Sequence, residues 1–236
     1  MKVAFIIISF GEKYINNAKQ LIESIKIHLI NCNVDIHLIS DIQVDSVICH
    51  TSTNIDIKPT YNLKPSNIIK LTKFERVLQI RNKLEMYDLI YLLDSDCLFV
   101  NDTTVEEIIP HTRDHISCVK HPWQTNGKNE WLVDNRPITT ACIENTEIYI
   151  QSCFWGAYNH KFFEAISEMN NWIWIDIKND ICAKWFEESH FNKYILYNTK
   201  TILKQNFYNF PKSLSEYKNL SNKTDIKILH FNVVNN

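Results

Sequence analysis

The sequence predicts an α/β protein, one compact unit around a buried sheet, and three observations carry that expectation. The chain opens with a β-α-β pattern. A second helical stretch later runs into the apolar segment Leu89-Ile90-Tyr91-Leu92-Leu93. Polar, chemically capable triplets, Ser9-Phe10-Gly11 and Asp94-Ser95-Asp96, stand at the carboxyl ends of two of these strands, where open α/β sheets bind ligands.

Taken in order, Val3 to Ile8 is a continuous apolar run with the length of a buried strand. Ile15, Ala18, Ile22, Ile25 and Leu29 then recur at helical spacing, and Val34, Ile36 and Leu38 alternate with polar residues as on a half-buried strand. Residues 42–71 give only short β-like pieces around Pro59 and Pro65. Phe74, Val77, Leu78 and Leu84 mark a second helix leading into the strand before Asp94. Thr103 and Glu106 have the spacing of a capping box, opening a short helix that ends at Pro110. Strands are expected at Ile116–Val119 and Tyr149–Ala157, with helices from about Lys161 and from about Asp180 to Leu196. A last strand is expected at Asp225–Phe231. Between His121 and Thr146, Trp, Asn, Asp and Pro follow no period, as in a substrate-facing loop.

Composition removes several function classes. With 236 residues, a net charge of -2 and 22% charged residues, the chain has no basic field for nucleic acid. Hydrophobic content of 45% excludes disorder, and only 3 glycines exclude a Gly-rich phosphate loop. The 7 cysteines form no C-x-x-C pair, which fits free thiols in a reducing compartment. No signal peptide or membrane span is legible, so a soluble cytoplasmic protein, at most peripheral to a membrane, is expected. The Asp94-Ser95-Asp96 pair has two readings. One is an Asp turn just past a strand. The other is a site for Mg²⁺ or Mn²⁺, which takes one or two carboxylates together with phosphate oxygens.

The second half favours the metal. Trp185-Phe186-Glu187-Glu188-Ser189-His190-Phe191-Asn192-Lys193-Tyr194 resembles the W-H-D-E-S-H-L-N-K-Y block of glycosyltransferase family 6, the histo-blood-group A/B and α-1,3-galactosyltransferase family. Glu147 to Ala157 is similar to its D-F-Y-Y-x-x-x-F-F-G-G segment. Arg136-Pro137 with Ala141-Cys142-Ile143 resembles R-P-x-S-x-A-Y-I. Ser9 to Tyr14 is similar to F-A-I-K-K-Y, and Asp94-Ser95-Asp96 falls where the family has D-V-D. The matches run in family order from residue 9 to about 196.

The resemblance implies a GT-A fold over residues 1–236, with a Rossmann-like UDP-binding half at about 1–100 and an acceptor-binding half at about 101–236. It implies transfer of galactose or N-acetylgalactosamine from a UDP-sugar to the 3-hydroxyl of a terminal β-galactoside, fucosylated or not, with retention of configuration. The partners are then a nucleotide sugar and an oligosaccharide or glycolipid acceptor. By the same resemblance Ser9, Phe10, Gly11 and Tyr14 frame the uridine, and Asp94 and Asp96 hold Mn²⁺ (or Mg²⁺) against the diphosphate, with Ser95 on the ribose side. Arg81 contacts the donor from the second helix. Gln151, Ser152 and Cys153 sort donor and acceptor, Glu187 lies near the donor sugar, and His121, Trp123 and Trp185 face the acceptor. Glu188 matches the catalytic carboxylate. The chemistry asks for these residue types in its own right. A cation can neutralise a departing diphosphate, and a carboxylate can support the oxocarbenium-like carbon.

Departures and plainer readings stand beside these roles. Phe186 replaces the family's His, and Glu187 its Asp, while the usual basic tail after the last strand is not seen. His230 resembles the terminal metal-binding His of other GT-A enzymes and is a candidate third ligand; the plain reading is a strand histidine. Glu187-Glu188 can form a solvated face with Lys184 and Lys193, and Trp185 can be core. Arg81 can pair with Asp88 or Glu85, His121 can be a loop histidine, and Phe10 and Tyr14 can pack the sheet end. Two rival functions remain: a catalytically idle sugar- or nucleotide-binding module on the same scaffold, and a nucleotidyltransferase that would leave Glu188 without a task.

Overall fold

The computed structural model describes residues 1–51, 55, 65–121, 132–144, 146–203, 208–209 and 226–230. A seven-stranded mixed sheet forms the centre, in the order β3-β2-β1-β4-β7-β6-β8. Strands β1 (Val3–Ser9), β2 (Val34–Ser40), β3 (Ile48–Thr51) and β4 (Leu89–Asp94) are parallel neighbours. Strand β7 (Ile150–Tyr158) runs antiparallel to β4 and to β6 (Ile116–Lys120), and β8 (Lys200–Ile202) pairs parallel with β6. This is the mixed α/β architecture that the sequence predicts, a parallel half joined through β4 and β7 to an antiparallel one.

The unbroken apolar runs of β1 and β4 follow from burial on both faces. Alternate residues Val3, Phe5, Ile7, Leu89, Tyr91 and Leu93 pack under α1 (Glu12–His28), which contributes Ile15, Ala18, Leu21, Ile22 and Ile25. The opposite set, Ala4, Ile6, Ile8, Ile90 and Leu92, packs under α3 (Lys73–Gln79), α6 (Asn159–Lys178) and α7 (Glu187–Tyr197). Each such side chain contributes about 1.5–3 kcal/mol on burial, so the sheet order is fixed by two apolar faces at once. Gly156 marks the tightest point. A Cβ there would stand 2.2 Å from Tyr91 Cδ1 and 2.6 Å from the Ile90 carbonyl oxygen.

A three-stranded sheet completes the site end: β5 (Cys97–Phe99), β10 (Ile228–His230) and β9 (Tyr208–Asn209), in the order β5-β10-β9. Its register sets His230 opposite Cys97, one residue past Asp96.

Several expectations are corrected. The second helix, marked by Phe74 to Leu84, is two short ones, α3 and α4 (Arg81–Leu84), and the ambiguous stretch before it ends in a further helix, α2 (Pro65–Leu71). The break between α2 and α3 falls where the Thr72 hydroxyl donates to the Ile68 carbonyl at 2.8 Å, the local side-chain bonding that competes with a continuing helix. The capping box lies one residue later than its spacing suggested, at Thr104 and Glu107, opening α5 (Val105–Ile108). The helix expected from Asp180 begins only at Glu187, because Asp180 (φ 63°) and Phe186 (φ 54°) adopt left-handed backbone that a helix cannot contain. Strand β8 had no clear sequence signal, being three residues long and polar at its start. Among the described residues, no helix is long and apolar enough to cross a membrane.

Candidate active site

The parallel strands β1 and β4 end side by side, and the loops beyond them open onto a cleft of about 310 Å³. Its lining includes Ser9, Phe10, Tyr14, Asp94, Ser95, Asp96, His121, Gln151, Ser152, Trp185, Glu187, Glu188 and His230. The residues come from the end of β1, the first turn of α1, the β4–β5 turn, the end of β6, β7, the start of α7 and β10. Thirteen of the candidates proposed from sequence thus share one cavity, although they are as far apart as residues 9 and 230.

One wall carries a compact donor set. Ligand atoms of Asp94, Asp96 and His230 all lie within 4.8 Å of one another. His230 Nε2 stands 2.9 Å from Asp96 Oδ1. Burial alone would lower the His230 pKa, but the Asp96 charge overrides it and lifts the group to about 10. Two carboxylates and an imidazole form a hard, mixed oxygen–nitrogen set that suits Mn²⁺ or Mg²⁺. The residues present therefore fit the cation that the sequence implied, with a proton on His230 to be displaced on binding.

Lys73, at the start of α3, is the main residue that the sequence reading missed. Its ammonium is 2.7 Å from Asp94 Oδ1 and 2.7 Å from Glu187 Oε1, and its side chain is only 7% exposed. Burial works against the Asp94 charge, yet Lys73, with His230 behind it, holds that carboxyl below the ordinary carboxylate range. For Lys73 the same two anions outweigh its own desolvation and raise its pKa. The only available sequence signal was negative. A carboxylate on the buried side of an amphipathic helix needs a cation from elsewhere, and nothing local in the sequence identifies it.

Glu188 stands across the cleft, in the first turn of α7, partly open to it. Burial raises its pKa to about 7; the Ser152 amide opposes the shift and Glu187 adds to it. Ser152 donates to Glu188 Oε2 from its backbone N–H at 3.0 Å and from its hydroxyl at 3.1 Å. Asn192, one turn further along α7, fixes the helix to the strand. Its Oδ1 accepts from Ile150 N–H at 2.7 Å, and its Nδ2 donates to the Ile150 and Glu188 carbonyls, each at 2.9 Å. His190 bonds the Phe186 carbonyl at 3.0 Å and Asp176 at 3.1 Å, which holds the left-handed residue that starts the helix.

Three buried polar atoms of this cavity have no hydrogen-bond partner among the described residues: Ser9 Oγ, Gln151 Oε1 and Glu187 Oε2. Unsatisfied buried groups are uncommon in native proteins, and their gathering in one cleft marks where ligand atoms belong.

Not every candidate is brought here. Arg81 is exposed on α4 with its guanidinium stacked 4.8 Å over Phe163, apart from the cleft and from its expected partners Asp88 and Glu85. Arg76, one turn nearer, instead lies 4.5 Å over the ring of Phe10. Cys153 is fully buried in the core, its carbonyl taking the Cys97 thiol at 3.5 Å, because β7 turns Ser152 and not Cys153 to the cleft. Gly11 adopts φ 83° at the head of α1, and its N–H donates to Asp41 at 3.1 Å. The plain reading of Glu187 as a solvated residue fails, since it is 3% exposed. Trp185 is 39% exposed on the cleft rim and is not core. His121 is buried, with its ring edge-on to Tyr149, and desolvation followed by His230 lowers its pKa to about 4. Trp123 lies outside the described residues.

The sequence profile of glycosyltransferase family 6 matches residues 6–235, nearly the whole chain. The chain belongs to glycosyltransferase family 6. It is also 26% identical over 159 residues to the O-antigen biosynthesis glycosyltransferase WbnI of Escherichia coli. That match covers 63% of this chain and 63% of the relative, so the chain spans less than two thirds of the relative's length.

Proposed function

We propose that the chain is a retaining hexosyltransferase that moves galactose or N-acetylgalactosamine from a UDP-sugar to the 3-hydroxyl of a terminal β-galactoside, with or without fucose, on an oligosaccharide or glycolipid. The observation that carries this reading is one cleft shared by the Asp94–Asp96–His230 donor set and the Glu188 carboxylate. In it, about residues 1–100 supply the UDP-binding half and about 101–236 the acceptor half of a single domain.

Ser9, Phe10 and Tyr14 then hold the uridine at the end of β1. Asp94, Asp96 and His230 hold a divalent cation, which when bound offsets charge on the departing diphosphate. Lys73 and Glu187 are placed to bind donor-sugar hydroxyls, the free Glu187 Oε2 accepting one of them. Glu188, ionised, supports positive charge at the anomeric carbon and stands ready to trap it. Trp185 and His121 offer an apolar face and a polar edge to the acceptor ring.

Glu188→Gln is expected to abolish transfer, at least a thousandfold, while UDP binding measured by calorimetry stays within about twofold. Transfer at a comparable rate in that variant would overturn the catalytic assignment. UDP-Gal and UDP-GalNAc, each tested against lactose and 2′-fucosyllactose with and without Mn²⁺, identify donor and acceptor. UDP binding without any β-galactoside-dependent UDP release would instead support an idle binding module.

A further inference from the structure

We propose that Ser152 is a positioning residue: an irregularity in β7 turns its amide and its hydroxyl together onto one oxygen of Glu188 and holds that carboxylate at the cleft. The proposal rests on the reading of Glu188 as the carboxylate that serves the sugar carbon. It adds a role that sequence resemblance did not suggest, since Ser152 was there expected to touch substrate.

The argument begins in the sheet. Opposite β6 the register jumps from Cys118↔Trp155 to Val119↔Gln151, so Ser152, Cys153 and Phe154 face no residue of β6. On the other side, pairing with β4 ends at Leu93↔Phe154. Ser152 and Cys153 thus have no register partner in either neighbouring strand. Bulges of this kind re-aim side chains and leave backbone donors without ladder partners, commonly beside active sites. A buried N–H without a partner is costly, and here that N–H is directed to Glu188 Oε2 at 3.0 Å. The Ser152 hydroxyl reaches the same oxygen at 3.1 Å, and the residue is 4% exposed. Both donors favour the ionised carboxylate and limit its rotamers.

The surrounding charges make such a hold necessary. Glu187 precedes Glu188 on α7, and Asp94 faces it from the end of β4; both disfavour its charge. The Lys73 ammonium is already shared between those two anions. Tyr149, just before β7, is held neutral by burial and by the charge of Glu188. His121 and His230 line the same cleft, the latter engaged with Asp96. Among these groups Ser152 supplies two short, directed donors to the carboxylate itself.

The test measures Glu188 directly and through turnover. In substrate-free protein, the Glu188 carboxylate band is assigned by infrared difference against Glu188→Gln and followed with pH. Ser152→Ala, which keeps the amide and removes the hydroxyl, is expected to raise the midpoint by about one pH unit, a tenfold change in proton affinity. Ser152→Thr is expected to restore it. In turnover, with the ionised carboxylate required, Ser152→Ala then loses about fivefold at pH 7 and less than twofold at pH 9, with donor KM within about twofold. An unmoved infrared midpoint in a folded Ser152→Ala protein overturns the proposal. So does a raised donor KM with an unshifted pH profile, which would make Ser152 a substrate contact. Should Ser152→Ala not fold, Ser152→Gly and Ser152→Thr carry the same comparison. Normal turnover by Glu188→Gln would remove the catalytic reading, and the infrared midpoint would still report whether Ser152 holds the carboxylate. The two failures are therefore distinguishable.

Discussion

Lys73→Met isolates the electrostatic arrangement of the cleft, because methionine keeps the apolar stem and removes only the ammonium. In the folded protein that ammonium neutralises two anions 2.7 Å away, one of them 4% and the other 29% exposed. Removing one partner of a buried ion pair costs about 3–5 kcal/mol, since the remaining charge is left uncompensated. The partly open Asp94 can recover some hydration, so a loss of about 3 kcal/mol at pH 7 is expected in metal-free protein. At roughly 2.1 cal/mol/K per residue, that lowers Tm by about 6 °C. The sign with pH follows from Asp94. Its folded pKa lies below its unfolded value, so its contribution is complete above the unfolded pKa and is lost as pH falls through the folded one. The gap between Lys73→Met and the parent protein should therefore be widest at neutral pH and narrow below about pH 4. Urea unfolding in the presence of EDTA at pH 7 and pH 3.5 reads both values. Equal losses at the two pH values, or none at pH 7, would refute the reasoning.

Chelation by EDTA, or Asp94→Asn with Asp96→Asn, is expected to remove metal-stimulated turnover; unchanged UDP release under EDTA would count against a metal-assisted reaction. Gly156→Ala should destabilise by about 3 kcal/mol in chemical denaturation, because its Cβ would meet the Ile90 carbonyl oxygen, which cannot swing away. His37 is buried between His50 at 2.8 Å and Tyr87 at 2.9 Å, and burial followed by His50 depresses its pKa to about 4. A histidine kept neutral in this way stabilises fully above about pH 6.5 and progressively less as pH falls toward 4. Unfolding measured across that window should show a slope that His37→Phe reduces.

The sequence by itself determined the strands that later proved central, since Val3–Ile8 and Leu89–Leu93 are apolar at every position and only two-sided burial accounts for that. It also determined the residue types of the chemistry. Asp94, Asp96, Glu187 and Glu188 sit in spaced blocks whose order identifies the family. Tertiary structure decided which cation answers them. Lys73 and His230 lie 21 and 134 residues from the aspartates they meet, and no local spacing encodes such a pair. It also set Arg81 over Phe163 on a broken helix, apart from the cleft, and Cys153, one step along β7, in the core. Ser152 shows the reason most plainly. Its role depends on a register jump between β6 and β7, and register comes from how two strands dock, which the residues of either strand alone do not specify.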